Sequence, residues 1–391
     1  MNEKDPLGVY AHIPYCASKC PYCSFNSAAV IAVPEVRYTN CILNELDCYL
    51  EKDGIGGRGL ESIYIGGGTP SLFSPPAIGR MVDGIKTRFV PSPDIETTLE
   101  VNPDSVDALR FEGYLAAGVT RVSIGAQSFD DAVLKTLGRR HPASKAVSAV
   151  KDAKAAGFEN VGVDLIFGVP GQGMASWKAA LTVAVELRPQ HISVYGLTME
   201  EDTPFYSLYG KSRDRAAVEE REAQMYETAL GVLKGAGYLH YEISNFALPG
   251  FMSRGNRRYW LGGDYIGLGA GAHSFFSSQG GQYPPKWGLR RWNTADAVSY
   301  MESIEAKGVA TDGSESPTET EARTEAALLG LRMLDTGIDA EAFKARFGVY
   351  PSAAFHNIEA FEKEGLLLLR GEDVLLTHKG ALISNEILYR F

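Results

Sequence analysis

The 391-residue sequence predicts an α/β fold, in which a parallel α/β barrel, partial or nearly complete, precedes a small winged-helix-like α+β unit. Over about the first 200 residues, six short β-branched runs alternate with longer amphipathic stretches, a pattern typical of parallel βα units. A stretch rich in Ser, Thr, Pro and acidic residues then interrupts the pattern near residues 311–320. Helix-like segments and one hairpin pattern follow it.

The candidate strands share a central aliphatic or β-branched run. They cover residues 8–13, 62–66, 97–102, 121–125, 161–167 and 192–196. Intervening segments such as 143–156 and 175–186 carry Ala and Leu at helical spacing. Because the carboxyl ends of barrel strands meet at one mouth, the polar or glycine residues there are expected to face one cavity. These residues are Cys16, Gly66 to Thr69, Glu100, Asn102, Gln127, Asp164 and Thr198.

The composition change at residues 311–320 predicts a linker or domain boundary. We therefore expect residues 1–310 to form the barrel with its extension and residues 317–391 to form the second unit. Helices are predicted over 319–334, 340–347 and 352–363, and a hairpin over 365–377 that turns at Gly371-Glu372-Asp373. The second unit has 12 acidic and 8 basic residues, a balance that argues against DNA binding by its winged-helix outline.

Charge and hydropathy limit the compartment and the partners. The net charge is -10, so the chain lacks the general attraction to phosphate backbones that nucleic-acid-binding proteins have. The first six residues show no signal-peptide pattern, and no apolar run approaches the ~18 residues of a membrane span. We expect a soluble, cytoplasmic protein with no integral membrane segment and no nucleic-acid partner.

Three of the five cysteines lie together after the first predicted strand, with the spacing C-x3-C-x2-C at Cys16, Cys20 and Cys23. Three thiolates on one short loop can bind three irons of a [4Fe-4S] cluster and leave the fourth iron open. Zinc is less suitable, because no second Cys or His pair follows at the usual spacing, but zinc and an inert cysteine group remain alternatives here. Cys41 and Cys48 are expected to pack on a helix as small apolar groups.

The cysteine spacing resembles the signature of the radical SAM superfamily. The resemblance implies that S-adenosylmethionine (SAM) binds the open iron through its amino and carboxylate groups, and that Tyr22 lies near the adenine. The segment Gly66-Gly67-Gly68-Thr69-Pro70 after the second strand is similar to the family's GGGTP loop. The glycines of such a loop allow backbone groups to approach a ligand, which implies SAM contacts at Gly67, Gly68 and Thr69.

Further polar positions resemble the SAM-binding set of the oxygen-independent coproporphyrinogen III oxidase-like branch. They are Tyr10, Glu100, Gln127, Arg139 and Asp164. Taken singly, each is equally well explained as a barrel residue satisfied by the backbone. Their order along the chain is what carries the resemblance.

Within that branch the sequence resembles the heme chaperones more than the oxidases. The oxidase pattern has a fourth cysteine two residues after the third, where this chain has Phe25, and only 15 residues precede Cys16. Segments 240–247 and 267–274 are also similar to chaperone segments. The chaperone motif HNxxYW is present as Gly255-Asn256-Arg257-Arg258-Tyr259-Trp260, without its histidine.

That motif implies a heme site at Asn256, Tyr259 and Trp260, in which the two aromatic rings form a wall. Arg257 and Arg258 are available to heme propionates, although two arginines beside an aromatic pair are also an ordinary solvated rim. An axial imidazole from position 255 is impossible. His273 is an alternative iron ligand, although a lone histidine in a Gly-Ala loop is more often structural.

The resemblance therefore implies a heme chaperone of radical SAM fold, which binds a [4Fe-4S] cluster, SAM and heme and transfers heme to an acceptor protein. An electron donor is a further implied partner, and the chain is expected to act as a carrier rather than a catalyst. The alternative is a radical SAM enzyme acting on a porphyrin, such as the oxygen-independent coproporphyrinogen III oxidase, which would be a SAM-dependent oxidoreductase.

Overall fold

The computed structural model describes residues 6–53, 55–210, 215–277 and 286–391. The predicted absence of a signal-peptide pattern falls partly on residues 1–5, which lie outside the described residues. One large sheet dominates the molecule, and its central strands run parallel in chain order. Within the described ranges, no helix has the length and apolar character needed to cross a membrane.

The strands alternate with helices through the first half of the chain and form hairpins later. They are β1 Leu7–Ile13, β2 Tyr15–Cys16, β3 Ala28–Ala29, β4 Gly59–Gly67, β5 Val90–Val101, β6 Arg121–Gln127, β7 Asn160–Phe167, β8 His191–Gly196, β9 Leu239–Glu242, β10 Asn245–Ala247, β11 Tyr265–Leu268, β12 His273–Phe276, β13 Leu289–Asn293, β14 Thr311–Glu315, β15 Leu367–Arg370 and β16 Asp373–Leu376.

Most helices connect successive strands or build the C-terminal unit. They are α1 Glu35–Asp53, α2 Pro75–Lys86, α3 Ala108–Ala116, α4 Asp131–Thr136, α5 Ala143–Ala155, α6 Met174–Glu186, α7 Arg215–Gly235, α8 Arg254–Trp260, α9 Ala297–Lys307, α10 Glu319–Arg332, α11 Ala340–Phe347, α12 Pro351–Ala354, α13 Ile358–Lys363, α14 His378–Leu382 and α15 Ser384–Tyr389.

The sheet order confirms the α/β prediction and shows that the barrel is incomplete. The six predicted strands are β1, β4, β5, β6, β7 and β8, and each pairs in parallel with the next. β11 also pairs in parallel with β1, and antiparallel strands extend the sheet beyond β11 and beyond β8, so that β14 and β9 are the two edges of the twelve-stranded sheet. The cysteines predicted to pack on a helix do so, since Cys41 is buried and Cys48 is partly buried on α1.

Alternating side chains give the sheet one apolar and one polar face. On β4, Ile63 and Ile65 are buried against the helices, whereas Ser62 and Tyr64 point to the opposite face. A strand covered by apolar groups on both faces would read as a continuous hydrophobic run. The polar face of the sheet is therefore suited to ligands rather than to packing against other elements.

The region at residues 311–320 is not simply a linker, which corrects the prediction. Thr311–Glu315 is an edge strand that pairs with β13, and α10 begins at Glu319 with a capping box from Thr318 and Glu321. Polar residues suit an exposed edge strand because one side of its backbone faces water. The polar composition of residues 311–320 therefore reflects the solvent exposure of an edge strand. The domain boundary between residues 310 and 317 stays a prediction.

The C-terminal segment has its own hydrophobic core and matches most of its prediction. The hairpin β15–β16 turns at Gly371, whose φ of 67° favours glycine. The predicted helix over 352–363 is interrupted, because Phe355 is extended between α12 and α13. Its buried ring packs against Phe343 and Phe391, so core packing is favoured over helix continuity there.

A buried carboxylate on α1 fixes the loop that follows β11. Glu45, which is 2% exposed, accepts hydrogen bonds from the Gly269 amide at 2.9 Å, the Asn293 side-chain amide at 2.6 Å and the Tyr300 hydroxyl at 2.6 Å. Burial raises the pKa of Glu45 to about 7, and the three hydrogen bonds oppose that rise. One side chain thus joins α1, the β11–β12 loop, β13 and α9.

We predict that Glu45→Ala destabilises the protein by about 3 kcal/mol or more, because three buried donors lose their acceptor at about 1–3 kcal/mol each. Urea unfolding measures this change. Glu51→Ala, on the exposed side of the same helix, is the control. If Glu45→Ala changed the unfolding free energy no more than the control, the proposed anchoring role of Glu45 would be wrong.

Candidate functional site

The cysteine loop is anchored at its first residue and projects over the carboxyl ends of the strands. Cys16 lies in β2, which pairs with β3, and the Val30 amide donates to the Cys16 carbonyl at 2.9 Å. Cys20 and Cys23 follow in a turn closed by a Cys23 amide to Cys20 carbonyl hydrogen bond of 3.1 Å. All three thiols line one cavity of about 370 Å³.

The glycine turn after β4 packs tightly against the segment that leads into the cysteine loop. The Gly68 amide donates to the Ile13 carbonyl, and the Thr69 amide donates to the Tyr15 carbonyl, both at 2.8 Å. A Cβ on Gly68 would lie 2.7 Å from the Tyr15 carbonyl oxygen, too close for any other residue. The Thr69 hydroxyl donates to the Cys16 sulfur at 3.4 Å. This turn therefore sets the position of the cysteine loop.

The structure brings nearly all of the predicted SAM residues to this first cavity. Those lining it are Tyr22, Gly67, Gly68, Thr69, Glu100, Gln127, Arg139 and Asp164, together with Asn102 and Thr198. Tyr10 instead lines a neighbouring cavity, where its hydroxyl is 2.9 Å from His12 Nδ1. Its predicted contact with SAM stays a prediction.

Two partly buried carboxylates face the first cavity. Glu100 accepts hydrogen bonds from the Gly67 amide and the Tyr64 hydroxyl, both at 2.9 Å, and burial raises its pKa to about 7. Burial also raises the pKa of Asp164, although the Ser123 hydroxyl 3.1 Å away lowers it. Such carboxylates suit a ligand that donates amino or hydroxyl hydrogens.

Two other predicted residues are held in unusual ways. Gln127 has a φ of 64°, rare for a residue other than glycine, at an irregularity in the pairing of β6 with β7. Arg139 donates to the Asn102 side-chain oxygen at 3.1 Å and the Gly125 carbonyl at 2.9 Å, and its guanidinium lies 3.8 Å from the Cys20 sulfur. Backbone strain at Gln127 is typical of functional sites.

The three thiols match the protein ligands of a [4Fe-4S] cluster in number and type. In the described part of the chain, no group of three His, Cys, Asp or Glu side chains is placed to bind one metal ion. Zinc requires all its thiolates at about 2.3 Å from one centre. In a [4Fe-4S] cluster each thiolate binds a different iron, so the thiols are further apart. The donor set of three unpaired cysteines fits the cluster.

A second cavity of about 760 Å³ adjoins the first. Phe25, Tyr64, Gly67, Glu100, Tyr195 and Asn256 line both. Its size is within the ~300–1,000 Å³ of typical ligand pockets, and much of its wall is aromatic.

Helix α8 supplies the motif residues to this second cavity. The buried Glu96 carboxylate accepts a hydrogen bond from the Arg254 amide at 3.0 Å and so fixes the amino end of the helix. Tyr259 is 45% exposed, and its ring lies 4.9 Å from the Trp260 ring and 5.6 Å from the Tyr265 ring. The aromatic wall predicted from the motif is thus present.

Comparison with known proteins gives the family. Residues 10–184 match the Radical SAM superfamily model, and residues 318–383 match the HemN C-terminal domain model. The chain is 36% identical to the heme chaperone HemW of Haemophilus influenzae, over 100% of this chain and 99% of that protein. It is 34% identical to the heme chaperone HemW of Bacillus subtilis, over 98% of both. This chain belongs to the HemW family of radical SAM proteins.

The fold agrees with that membership. The solved structure of coproporphyrinogen III oxidase (HemN) from Escherichia coli has a TM-score of 0.80 at 20% identity, and the match covers 98% of this chain and 89% of that one. At this identity the likeness establishes the fold alone. HemW membership confirms the resemblance inferred from the cysteine spacing, the GGGTP loop and Phe25.

Both arginines of the motif already have carboxylate partners, and their pairing with propionates stays a prediction. Arg257 forms an ion pair of 2.6 Å with Asp335, and Arg258 is paired with Glu61. Arg332 of α10 lines the second cavity together with Arg258, and its guanidinium stacks 4.2 Å from the Trp260 ring. Its carboxylate partner Glu242 is at the longer distance of 3.9 Å.

Sequence reasoning missed several residues of the polar face. They include Tyr64, Arg121, Ser123, Ser193 and Tyr195, all lining the first cavity. Arg121, only 1% exposed, is the charged member of this group. The alternation of polar and aliphatic residues in Arg121-Val122-Ser123-Ile124 is the signal that could have found two of them. No such signal marked Arg332, because it reaches the second cavity from the C-terminal segment.

We predict that Cys20→Ser prevents formation of the complete [4Fe-4S] cluster, because it removes one of three thiolates. Iron and sulfide analysis after anaerobic reconstitution measures this loss. Cys48→Ser, on α1 and outside both cavities, is the matched control and should retain the cluster. Equal iron and sulfide contents in both variants would contradict the assigned ligands.

Proposed function

We propose that this chain is a heme chaperone, which holds a [4Fe-4S] cluster and SAM in the first cavity, binds heme in the second and transfers it to an acceptor protein. The full-length similarity to proteins named heme chaperone HemW supports this proposal. The observation that carries it is the aromatic cavity next to the cysteine site, which has the size and chemistry for a porphyrin.

The residues of the first cavity fit the cluster and SAM. Cys16, Cys20 and Cys23 would hold the cluster, which when bound offers one open iron and a source of single electrons. Glu100 and Asp164 would accept hydrogen bonds from the hydroxyl or amino groups of SAM. The buried strands behind them keep these carboxylates in place before the ligand arrives.

The second cavity fits the heme that the chain would carry. Tyr259, Trp260 and Tyr265 offer ring faces to a planar macrocycle. Arg332, the cavity arginine with the loosest carboxylate pairing, is placed to bind a propionate by a charge-assisted hydrogen bond. Tyr259 is the half-exposed edge of this wall, which suits a site that must release its ligand to another protein.

The acceptor protein and the electron donor belong to this proposal as partners implied by its chemistry. A carrier has to deliver heme to a second protein, and a cluster that binds SAM has to be reduced from outside. Phe25, 63% exposed, lies at the wall that both cavities share. The cytoplasmic location stays a prediction.

Heme titration of the anaerobically reconstituted protein tests the proposal. The expected result is a saturable Soret band at one heme per chain and loss of that band on addition of an apo heme protein. A Soret band that fails to develop would remove the chaperone function. Formation of protoporphyrinogen and 5′-deoxyadenosine from coproporphyrinogen III and SAM would instead support the alternative, a radical SAM oxidase.

We predict that Tyr259→Ala weakens heme binding by roughly 10- to 150-fold, because losing an aromatic side chain that heme would cover removes roughly 1.5–3 kcal/mol of binding free energy. Titration followed at the Soret band gives the dissociation constant. Tyr389→Ala, which removes a tyrosine that is 92% exposed in the C-terminal helix α15, is the control. Equal affinities in both variants would exclude Tyr259 from the heme site.

A further inference from the structure

We propose that His273 is the axial ligand of the bound heme, in place of the imidazole that position 255 lacks. The inference rests on the proposed function, because it assigns the iron ligand within the cavity proposed for heme. Gly255 carries no side chain, and in the wild-type cavity a donor for the iron has to come from another residue.

Only two histidines of the described residues line this cavity, His12 and His273. His12 is 7% exposed, and both of its ring nitrogens are occupied, by the Tyr10 hydroxyl at 2.9 Å and the Asn26 carbonyl at 2.8 Å. His12 would have to lose both hydrogen bonds before it could bind iron. It is therefore a structural histidine of β1.

His273 has the opposite environment. Its side chain is exposed to the cavity, and its ring lies 5.8 Å from the Trp292 ring with an angle of 25° between the planes. Within the described residues neither of its ring nitrogens makes a hydrogen bond, so both are available to a metal. The stacking on Trp292 orients the ring through its face and leaves the nitrogens at its edge unoccupied.

The register of the sheet places His273 on the aromatic side of the cavity. Phe275 pairs with Tyr265 across β11 and β12, and His273 lies two residues before Phe275, on the same face of the strand. The ring of Tyr265 lies 6.4 Å from that of Phe275 and 5.6 Å from that of Tyr259. Histidine and motif aromatics therefore face one space from two elements.

The loop before His273 is held firmly, as a ligand residue requires. Glu45 accepts from the Gly269 amide, and the Tyr38 hydroxyl accepts from the Ala270 amide at 2.9 Å. The Asn26 side chain, which follows the cysteines, donates to the Ala270 carbonyl at 3.1 Å. The His273 backbone is thus fixed from α1 and from the cysteine loop.

The test compares heme complexes of the wild type, His273→Ala and His273→Gly by absorption and electron paramagnetic resonance spectra, after anaerobic reconstitution of the cluster. We expect both variants to lose the spectrum of imidazole-ligated heme while they keep the cluster absorption, which shows that they are folded. Added imidazole should restore the wild-type spectrum in His273→Gly. His356→Ala, at an exposed position of the C-terminal unit, should leave the spectrum unchanged.

The outcomes separate this inference from the proposed function. A wild type that binds heme with a spectrum unchanged in His273→Ala would overturn the ligand assignment and leave the chaperone proposal intact. A spectrum that changes in Tyr259→Phe and not in His273→Ala would indicate a tyrosinate ligand. That result would also overturn the assignment of His273. A wild type without a Soret band would overturn both.

Discussion

The contact between the cysteine loop and the glycine turn is the constraint on which the site depends. Backbone hydrogen bonds from Gly68 and Thr69 to Ile13 and Tyr15 fix the loop where it leaves β1, and the missing Cβ of Gly68 allows that approach. The loop then carries three thiols over the polar face of the sheet. Their position relative to Glu100 follows from the strand order, because β1, β4 and β5 are adjacent.

The same face of the sheet explains why two cavities share one wall. Polar residues of the central strands line the first cavity, and aromatic residues of β11, β12 and α8 line the second. Asn26 joins the two regions. Its side-chain amide donates a hydrogen bond to the loop before β12, and its backbone carbonyl accepts a hydrogen bond from the His12 ring. The cysteine cavity and the aromatic cavity thereby lie side by side.

The sequence predicts the central sheet and most of the first cavity because both depend on local patterns. The six strands have β-branched runs, and Cys16, Thr69 and Glu100 each lie at or just after the end of a strand, whereas Asp164 lies within β7. The second cavity depends on contacts between distant segments, which no local pattern encodes. Arg332 reaches it from α10, and Arg257, a neighbour of the motif aromatics, turns away to pair with Asp335. The edge strand at Thr311–Glu315 was missed for a related reason, because an exposed strand has the composition of a linker.

Three cysteine thiolates would leave one iron of a bound [4Fe-4S] cluster open for SAM. Electron paramagnetic resonance of the reduced, anaerobically reconstituted protein, recorded with and without SAM, tests it most directly. We expect a [4Fe-4S] signal whose g values shift when SAM is added, because a new ligand binds the open iron. A cluster signal that SAM leaves unchanged, or the absence of any such signal, would contradict it.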